Sequence, residues 1–181
     1  MAAPLMELKY EVTLEDATEF ALYHHRHSPT LVRRRRFLRV GMCGLLAIVA
    51  GAVGALARSP FLGAVGFAFA LAFWFMFPRR YERGLRETVA KLYAEGKNLD
   101  VLGPTTLTLD EEFITETTPT REVRTRWGAV ERVVDAPMHV FIYVTGSTAL
   151  ILPRRDLGEE ASAKLLNELR ARVPVHAQGA G

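Results

Sequence analysis

The sequence predicts a membrane α-helical hairpin of two transmembrane helices, carrying a small α+β cytoplasmic domain with an antiparallel sheet and a C-terminal helix. Three observations predict it. Across residues 40–77 the only charged residue is Arg58. Arginines crowd both flanks of that stretch. From Thr105 onward the hydrophobic pattern takes a period of two, which belongs to half-buried strands.

Composition averages conceal this partition. Of 181 residues, 49% are hydrophobic and 24% charged, with a formal charge of +3, as in many soluble chains. The ionisable groups are nonetheless held at the two ends. Acidic residues outnumber basic ones from Asp100 onward, so the basic excess lies beside the apolar runs. Cys43, the single cysteine, sits inside the first run and excludes an intramolecular disulfide and a cysteine-based metal site.

Residues 1–39 read as a strand followed by amphipathic and juxtamembrane helices. Residues 7–12 alternate as a short strand. Thr13-Leu14-Glu15-Asp16 has the form of a capping box, opening a helix with Leu14, Ala17, Ala21 and Leu22 on one side. His27-Ser28-Pro29 interrupts that helix. Ser28 as cap and Pro29 at the first position then begin a second helix that runs into the first span.

Residues 40–77 form the hairpin. The runs 40–57 and 60–77 each hold about eighteen residues, roughly 27 Å of helix against a hydrocarbon core of roughly 30 Å, and snorkelling arginine stems cover the difference. A soluble helical hairpin would need an enclosing apolar layer that the rest of so short a chain cannot supply. Only Arg58 and Ser59 separate the runs, so the helices are antiparallel neighbours. Small residues four apart, Ala47, Gly51 and Ala55, with Ala50 and Gly54 beside them, offer a close-packing face matched by Gly66 and Ala70. The same faces suit a contact between copies of the chain.

Orientation follows from the arginines. Arg33, Arg34, Arg35, Arg36 and Arg39 precede the first run, and Arg79, Arg80, Arg83 and Arg86 follow the second. The turn has Arg58 alone, so the positive-inside rule puts both termini in the cytoplasm of a multi-pass inner-membrane protein. Trp74 suits an interfacial anchor. One alternative reads Arg34-Arg35-Arg36-Phe37-Leu38-Arg39 as a twin-arginine export signal cleaved after Ala55-Leu56-Ala57. The long patterned segment before it and the span directly after it oppose that reading.

After the second span, residues 78–102 resume helical spacing from Pro78 as an amphipathic linker helix over 78–94, striped by Tyr81, Leu85, Val89, Leu92 and Tyr93 and stopped near Gly96. Residues 103–175 are β-rich. Strands are expected at 105–109, 113–117 and 122–127, a helical turn within 128–135, and a hairpin of 139–145 with 149–152 around Gly146-Ser147. A helix over 159–173 closes the domain, with Ala163, Leu165, Leu166 and Leu169 as its apolar side. Residues 176–181 are expected to be a disordered tail.

The N-terminal strand and helix, the paired spans and the Gly96-Lys97-Asn98 linker form a familiar order. With them come Thr106-Leu107-Thr108-Leu109, Phe113-Ile114, Trp127 with Val130 and Val133, Phe141-Ile142-Tyr143 and Ile151-Leu152-Pro153-Arg154. Together they resemble the YcxB-like family of bacterial membrane proteins. The resemblance extends over nearly the whole chain and is carried by hydrophobic patterning. It implies a C-terminal part similar to pleckstrin-homology-like sheets, and it brings no assigned activity and no catalytic residues.

Constellations with chemical potential are few. His24, His25 and His27, with Glu19 nearby, could bind a transition metal, but adjacent helical residues diverge and only His24 and His27 share a face. A solvated or interfacial face is the expectation. The arginine run lacks interleaved aromatics beyond Phe37 and abuts a span, so topology and anionic headgroups explain it better than nucleic acid does. Neither span holds a carboxylate or histidine to relay protons. Tyr143, Ser147, His139 and Asp156 show no nucleophile–base pattern. His139 is expected as a satisfied strand residue and Trp127 as a core anchor.

The expectation is therefore a membrane-anchored cytoplasmic binding or scaffolding module, without catalysis, cofactor or metal. Its partners are a bilayer with anionic headgroups and a protein or lipid met by the C-terminal domain, with homo-oligomers allowed and nucleic acid excluded. A subunit of a homo-oligomeric pore or transporter is the first alternative, and a cleaved export substrate the second.

Overall fold

A computed structural model describes residues 4–96 and 101–173. The expected linker at Lys97 and Asn98 and the 176–181 tail lie outside the described residues. The chain divides into two compact units, one of Met1–Ala21 with Val89–Gly181, the other of Leu22–Thr88. The divisions fall inside helix α1 (Leu14–His27) and inside helix α3 (Pro60–Ala94).

The Leu22–Thr88 unit is dominated by α2 (Pro29–Leu56) and α3, joined at Arg58 and Ser59. Pro29 stands at the start of α2 as expected, though Ser28 makes no side-chain cap bond. Both helices are long and apolar enough to cross a membrane. They bury little of themselves: 6% of the apolar window of α2 and 11% of that of α3. Ile48, Leu56, Phe61 and Phe69 are each about 70% exposed or more.

Two expectations about this unit are corrected. The linker helix does not restart at Pro78, because α3 runs unbroken through it for 35 residues, about 52 Å. An interior proline forfeits one backbone bond, and the orphaned acceptor finds another donor, described below. The packing face is also narrower than expected: of the two small-residue sets in α2, the one of Ala50 and Gly54 meets α3. Ala50 and Gly54, with Gly63, Gly66 and Ala70, form the contact, whereas Gly51 and Ala55 are exposed and Ala47 is half-buried. A Cβ added to Gly66 would lie 2.5 Å from Ala50 Cβ, and one added to Gly54 2.9 Å from Gly63 Cα; at Gly51 it meets nothing within 4 Å.

The other unit holds two antiparallel sheets. One has the order β1 (Met6–Val12), β2 (Gly103–Leu109), β3 (Phe113–Thr117) and β4 (Glu122–Arg126). The second has β5 (Arg132–Asp135), β6 (His139–Tyr143) and β7 (Ala149–Pro153). A short 3-10 turn at Trp127–Ala129 leads from one sheet to the other, and α4 (Arg154–Arg172) closes the domain. Alternation in β1 is complete: Met6, Leu8, Tyr10 and Val12 are buried and the residues between them exposed.

The single sheet expected from the sequence is thus two. The missed strand is β5, where Arg132-Val133-Val134-Asp135 pairs with residues 140–143. It is short and charged at both ends, so its period was not visible. The final helix begins earlier than expected, at Arg154, and is broken at Gly158, whose φ is +73°. It buries Leu157, Ser162, Leu165, Leu166 and Leu169, while Ala163 is exposed.

The N-terminal strand belongs to the same core as the C-terminal residues. Met6 pairs opposite Leu109, and the register continues to Val12 opposite Gly103. Met6, Leu8, Tyr10 and Val12 share a cluster with Leu107, Ile114, Trp127, Val140, Ile142 and Leu165. Strand β6 is buried along its whole length. Its second face meets α1, where the Phe20 ring lies 5.4 Å from Phe141 and 5.6 Å from Tyr143.

Candidate functional site

In the Leu22–Thr88 unit the expected arginines form a collar. Arg33, Arg34, Arg36, Arg79, Arg80, Arg83 and Arg86 are exposed, and Arg35 and Arg39 are half-buried. A cavity of about 320 Å³ is lined by Val32, Arg35, Arg36, Arg39, Val40 and Trp74. Another of about 530 Å³ is lined by Pro29, Thr30, Arg33, Arg34 and Phe37. Arg39 donates from Nη2 to the Trp74 carbonyl at 2.9 Å and stacks on the indole, with Cζ 3.8 Å from the ring centroid. Arg35 Cζ lies 5.9 Å from the Tyr81 ring centroid.

The histidine cluster disperses. The His25 ring Nδ1 is 3.0 Å from the Tyr81 hydroxyl. His27 Nδ1 bonds the Tyr23 carbonyl at 2.8 Å, and its ring stacks on Tyr23. Burial, and then the nearby Arg35 charge, hold His25 below the usual imidazole range. Arg26 pairs with Glu82 at 3.0 Å. Among the described residues no three His, Cys, Asp or Glu side chains are placed to hold a metal ion.

In the β-rich unit the densest polar cluster centres on Asp16, only 1% exposed. Thr13 donates to its Oδ2 from the backbone N–H at 2.8 Å and from Oγ1 at 2.7 Å, and the Asp16 N–H donates back to Thr13 Oγ1 at 3.4 Å, which completes the expected capping box. Arg155 grips both oxygens, Nη1 to Oδ1 at 2.6 Å and Nη2 to Oδ2 at 2.7 Å. His139 Nε2 is 2.8 Å from Oδ1. Burial alone would raise the Asp16 carboxyl, but the bonds from Arg155, His139 and Thr13 outweigh it and hold the group well below the ordinary carboxylate range.

An ionised carboxylate can only accept, so His139 carries its proton on Nε2. With five donors on two oxygens, Asp16 has no lone pair left for a substrate. The cluster therefore works as a clasp fastening α1 to β6 and α4. Arg155 extends it to the Glu11 carbonyl at 2.9 Å, and Asp156 accepts from the Glu11 N–H at 3.0 Å. His139 meets the expectation of a satisfied strand residue. The sequence shows Asp16 as a capping-box acid but not its pairing with Arg155, because such an acid carries no mark of a partner 139 residues away.

Two further buried groups stand in the core. Burial and then the Glu116 charge push the Tyr10 hydroxyl far up. Burial likewise raises Glu116, with Arg121 partly opposing at 3.2 Å. Trp127 anchors the core as expected and donates Nε1–H to the Asp110 carbonyl at 3.1 Å.

These features define a class: an apolar two-helix hairpin with an arginine collar, joined to a two-sheet domain built from both ends of the chain. Residues 109–169 match a family model described as YcxB-like protein, so the expected resemblance holds over that stretch. No curated protein and no solved structure matches the chain.

Proposed function

We propose that the chain is a membrane-anchored module whose α2–α3 hairpin crosses the inner membrane twice and holds the β-rich domain, as a binding or scaffolding unit, at the cytoplasmic face. The observation that carries this reading is the exposure of the hairpin: 6% and 11% burial of two apolar windows is untenable in water. The core helix of a soluble protein would be mostly buried.

Topology has independent support. β1 and β2 lie on opposite sides of the hairpin in sequence yet pair over seven residues. An even number of crossings satisfies that pairing. Nine arginines flank the open end of the hairpin and one sits at its turn, which favours cytoplasmic termini.

The same pairing opposes cleaved export. Cleavage after Ala57 would remove Met6, Leu8, Tyr10 and Val12 from the core, at roughly 1.5–3 kcal/mol each. The sum is comparable with the whole stability of a typical domain, about 5–15 kcal/mol. The two sheets with a closing helix support the pleckstrin-homology-like comparison and hence a binding role. The saturated Asp16 favours that role over catalysis.

Alkaline extraction of membranes, with protease accessibility in spheroplasts, tests the anchor. Retention in the membrane pellet with both termini shielded from external protease is expected. A chain that stays dissolved without detergent, or termini on opposite faces, overturns it. Crosslinking in native membranes tests the binding role, and an absence of any enriched protein or lipid counts against it.

A pore subunit is the second reading. Gly51 and Ala55, small and turned away from the intramolecular contact, are what supports it. It requires a defined multimer and ion flux in liposomes.

A further inference from the structure

We infer that the cavity between α2 and α3 at Arg35, Arg36, Arg39 and Trp74 binds the phosphodiester of one anionic glycerophospholipid as a discrete site. The inference rests on the anchor reading above and adds to it a ligand and its place.

Four observations carry it. The cavity, about 320 Å³, is lined by three guanidinium side chains and no carboxylate. Arg39 is locked in place by its bond to the Trp74 carbonyl and its stacking on the indole, so one wall is preorganised. Arg36 is exposed, with no partner among the described residues, and free to close over a phosphate. Val32, Val40 and the Trp74 ring supply apolar lining where the uncharged stretch begins. A guanidinium suits a phosphate because its planar fork offers paired donors. The joined apolar wall favours a lipid over a free anion, which has no acyl chain to lay against Val40.

The surrounding electrostatics agree. Arg35 contributes to holding His25 below its usual range, which marks a positive field at that end of the cavity, and Glu82 on α3 is engaged by Arg26 at 3.0 Å. A phosphate at Arg35 would relieve that field. His25 also meets the Tyr81 hydroxyl on α3 and the His24 ring beside it.

The test uses the full chain in nanodiscs of phosphatidylcholine alone or with phosphatidylglycerol, and native mass spectrometry to count lipids retained on release. Wild type is expected to keep one phosphatidylglycerol in preference to phosphatidylcholine. The Arg35→Gln/Arg36→Gln variant is expected to lose it by about tenfold to thirtyfold, from roughly 1 kcal/mol per arginine. Arg79→Gln/Arg80→Gln, equal in charge change but outside the cavity, is expected to keep it.

Added inorganic phosphate is expected to leave the retained lipid in place, and His25 in wild type to titrate at higher pH when phosphatidylglycerol is present. Equal loss in both variants would mean diffuse attraction and overturn the site. So would displacement by inorganic phosphate, or equal retention of the two lipids by wild type, which needs no variant to fold. A chain embedded in the bilayer that shows no preference defeats this inference alone, whereas a chain soluble without detergent defeats the anchor reading.

Discussion

Arg39 donates a hydrogen bond to the carbonyl of Trp74, and that carbonyl is the one Pro78 leaves without a helical partner. In an unbroken helix the N–H of residue 78 would bond it, and proline has none. The guanidinium of α2 replaces the missing donor of α3, which lets 35 residues continue as one helix. Arg39→Gln should therefore weaken the hairpin by about 1.5–3 kcal/mol, the worth of a charge-assisted bond, with a further contribution from the lost stacking. In a Pro78→Ala background the restored N–H satisfies Trp74, and the cost of Arg39→Gln should fall by about 1 kcal/mol or more. Denaturation in detergent, followed by circular dichroism over the four members of the cycle, measures this coupling.

Arg155 and Asp16 should be unequal partners. Arg155→Met leaves a carboxylate that is 1% exposed with two bonds fewer, at a cost of about 3 kcal/mol. Asp16→Asn should cost less, about 1 kcal/mol, because Arg155 is 44% exposed and regains water while the asparagine carbonyl can still accept from the Thr13 N–H. The folded pKa of Asp16 is depressed, so its contribution is fully present above the unfolded value near about 4 and is lost as pH falls through the folded value. Removing Arg155 raises the folded value, so acid loss should begin at a higher pH. Thermal unfolding across an acidic pH series of the full chain reads both effects.

Much of this was legible because it depends on local pattern. The spans, the capping box at Thr13 and Asp16, and strands β1, β3, β6 and β7 follow from periodicity and caps. What escaped depends on tertiary choices. Whether Ala47-Gly51-Ala55 or Ala50-Gly54 faces α3 is a matter of about one-third of a turn, and both sets share a spacing of four. Pro78 reads as a break until Arg39 is known to lie beside Trp74. Glu11, Asp16, His139 and Arg155 converge only when β1 pairs across the hairpin with β2.

Glycine substitutions should separate the two small faces of the hairpin. At Gly66 a new Cβ meets Ala50 Cβ at 2.5 Å and Ala50 Cα at 3.1 Å, so the helix backbones must move apart. Gly66→Ala should destabilise the hairpin by about 1–3 kcal/mol, as overpacking does. Gly51→Ala has open space and should be neutral or stabilising by about 0.5–1 kcal/mol through helix propensity. Unfolding midpoints of the two variants in one detergent decide the matter. A larger loss at Gly51 than at Gly66 would assign the contact to the Ala47-Gly51-Ala55 face.

Arg58 should be improvable by glycine. It ends α2 in a left-handed conformation, φ +49°, and its N–H bonds the Ala55 carbonyl at 3.1 Å while the Ser59 N–H bonds that of Gly54 at 3.0 Å. Those two bonds are the closing pattern that favours glycine at this position. A left-handed conformation costs a residue with a Cβ roughly 1–2 kcal/mol, offset in part by the greater freedom glycine loses on folding. Arg58→Gly should therefore raise stability by about 0.5–1 kcal/mol, and Arg58→Val should lower it by about 1 kcal/mol, since β-branching makes positive φ least tolerable. Midpoints in detergent should rank glycine first, then asparagine, arginine and valine. Valine equal to glycine would mean that the turn between α2 and α3 does not hold a positive φ.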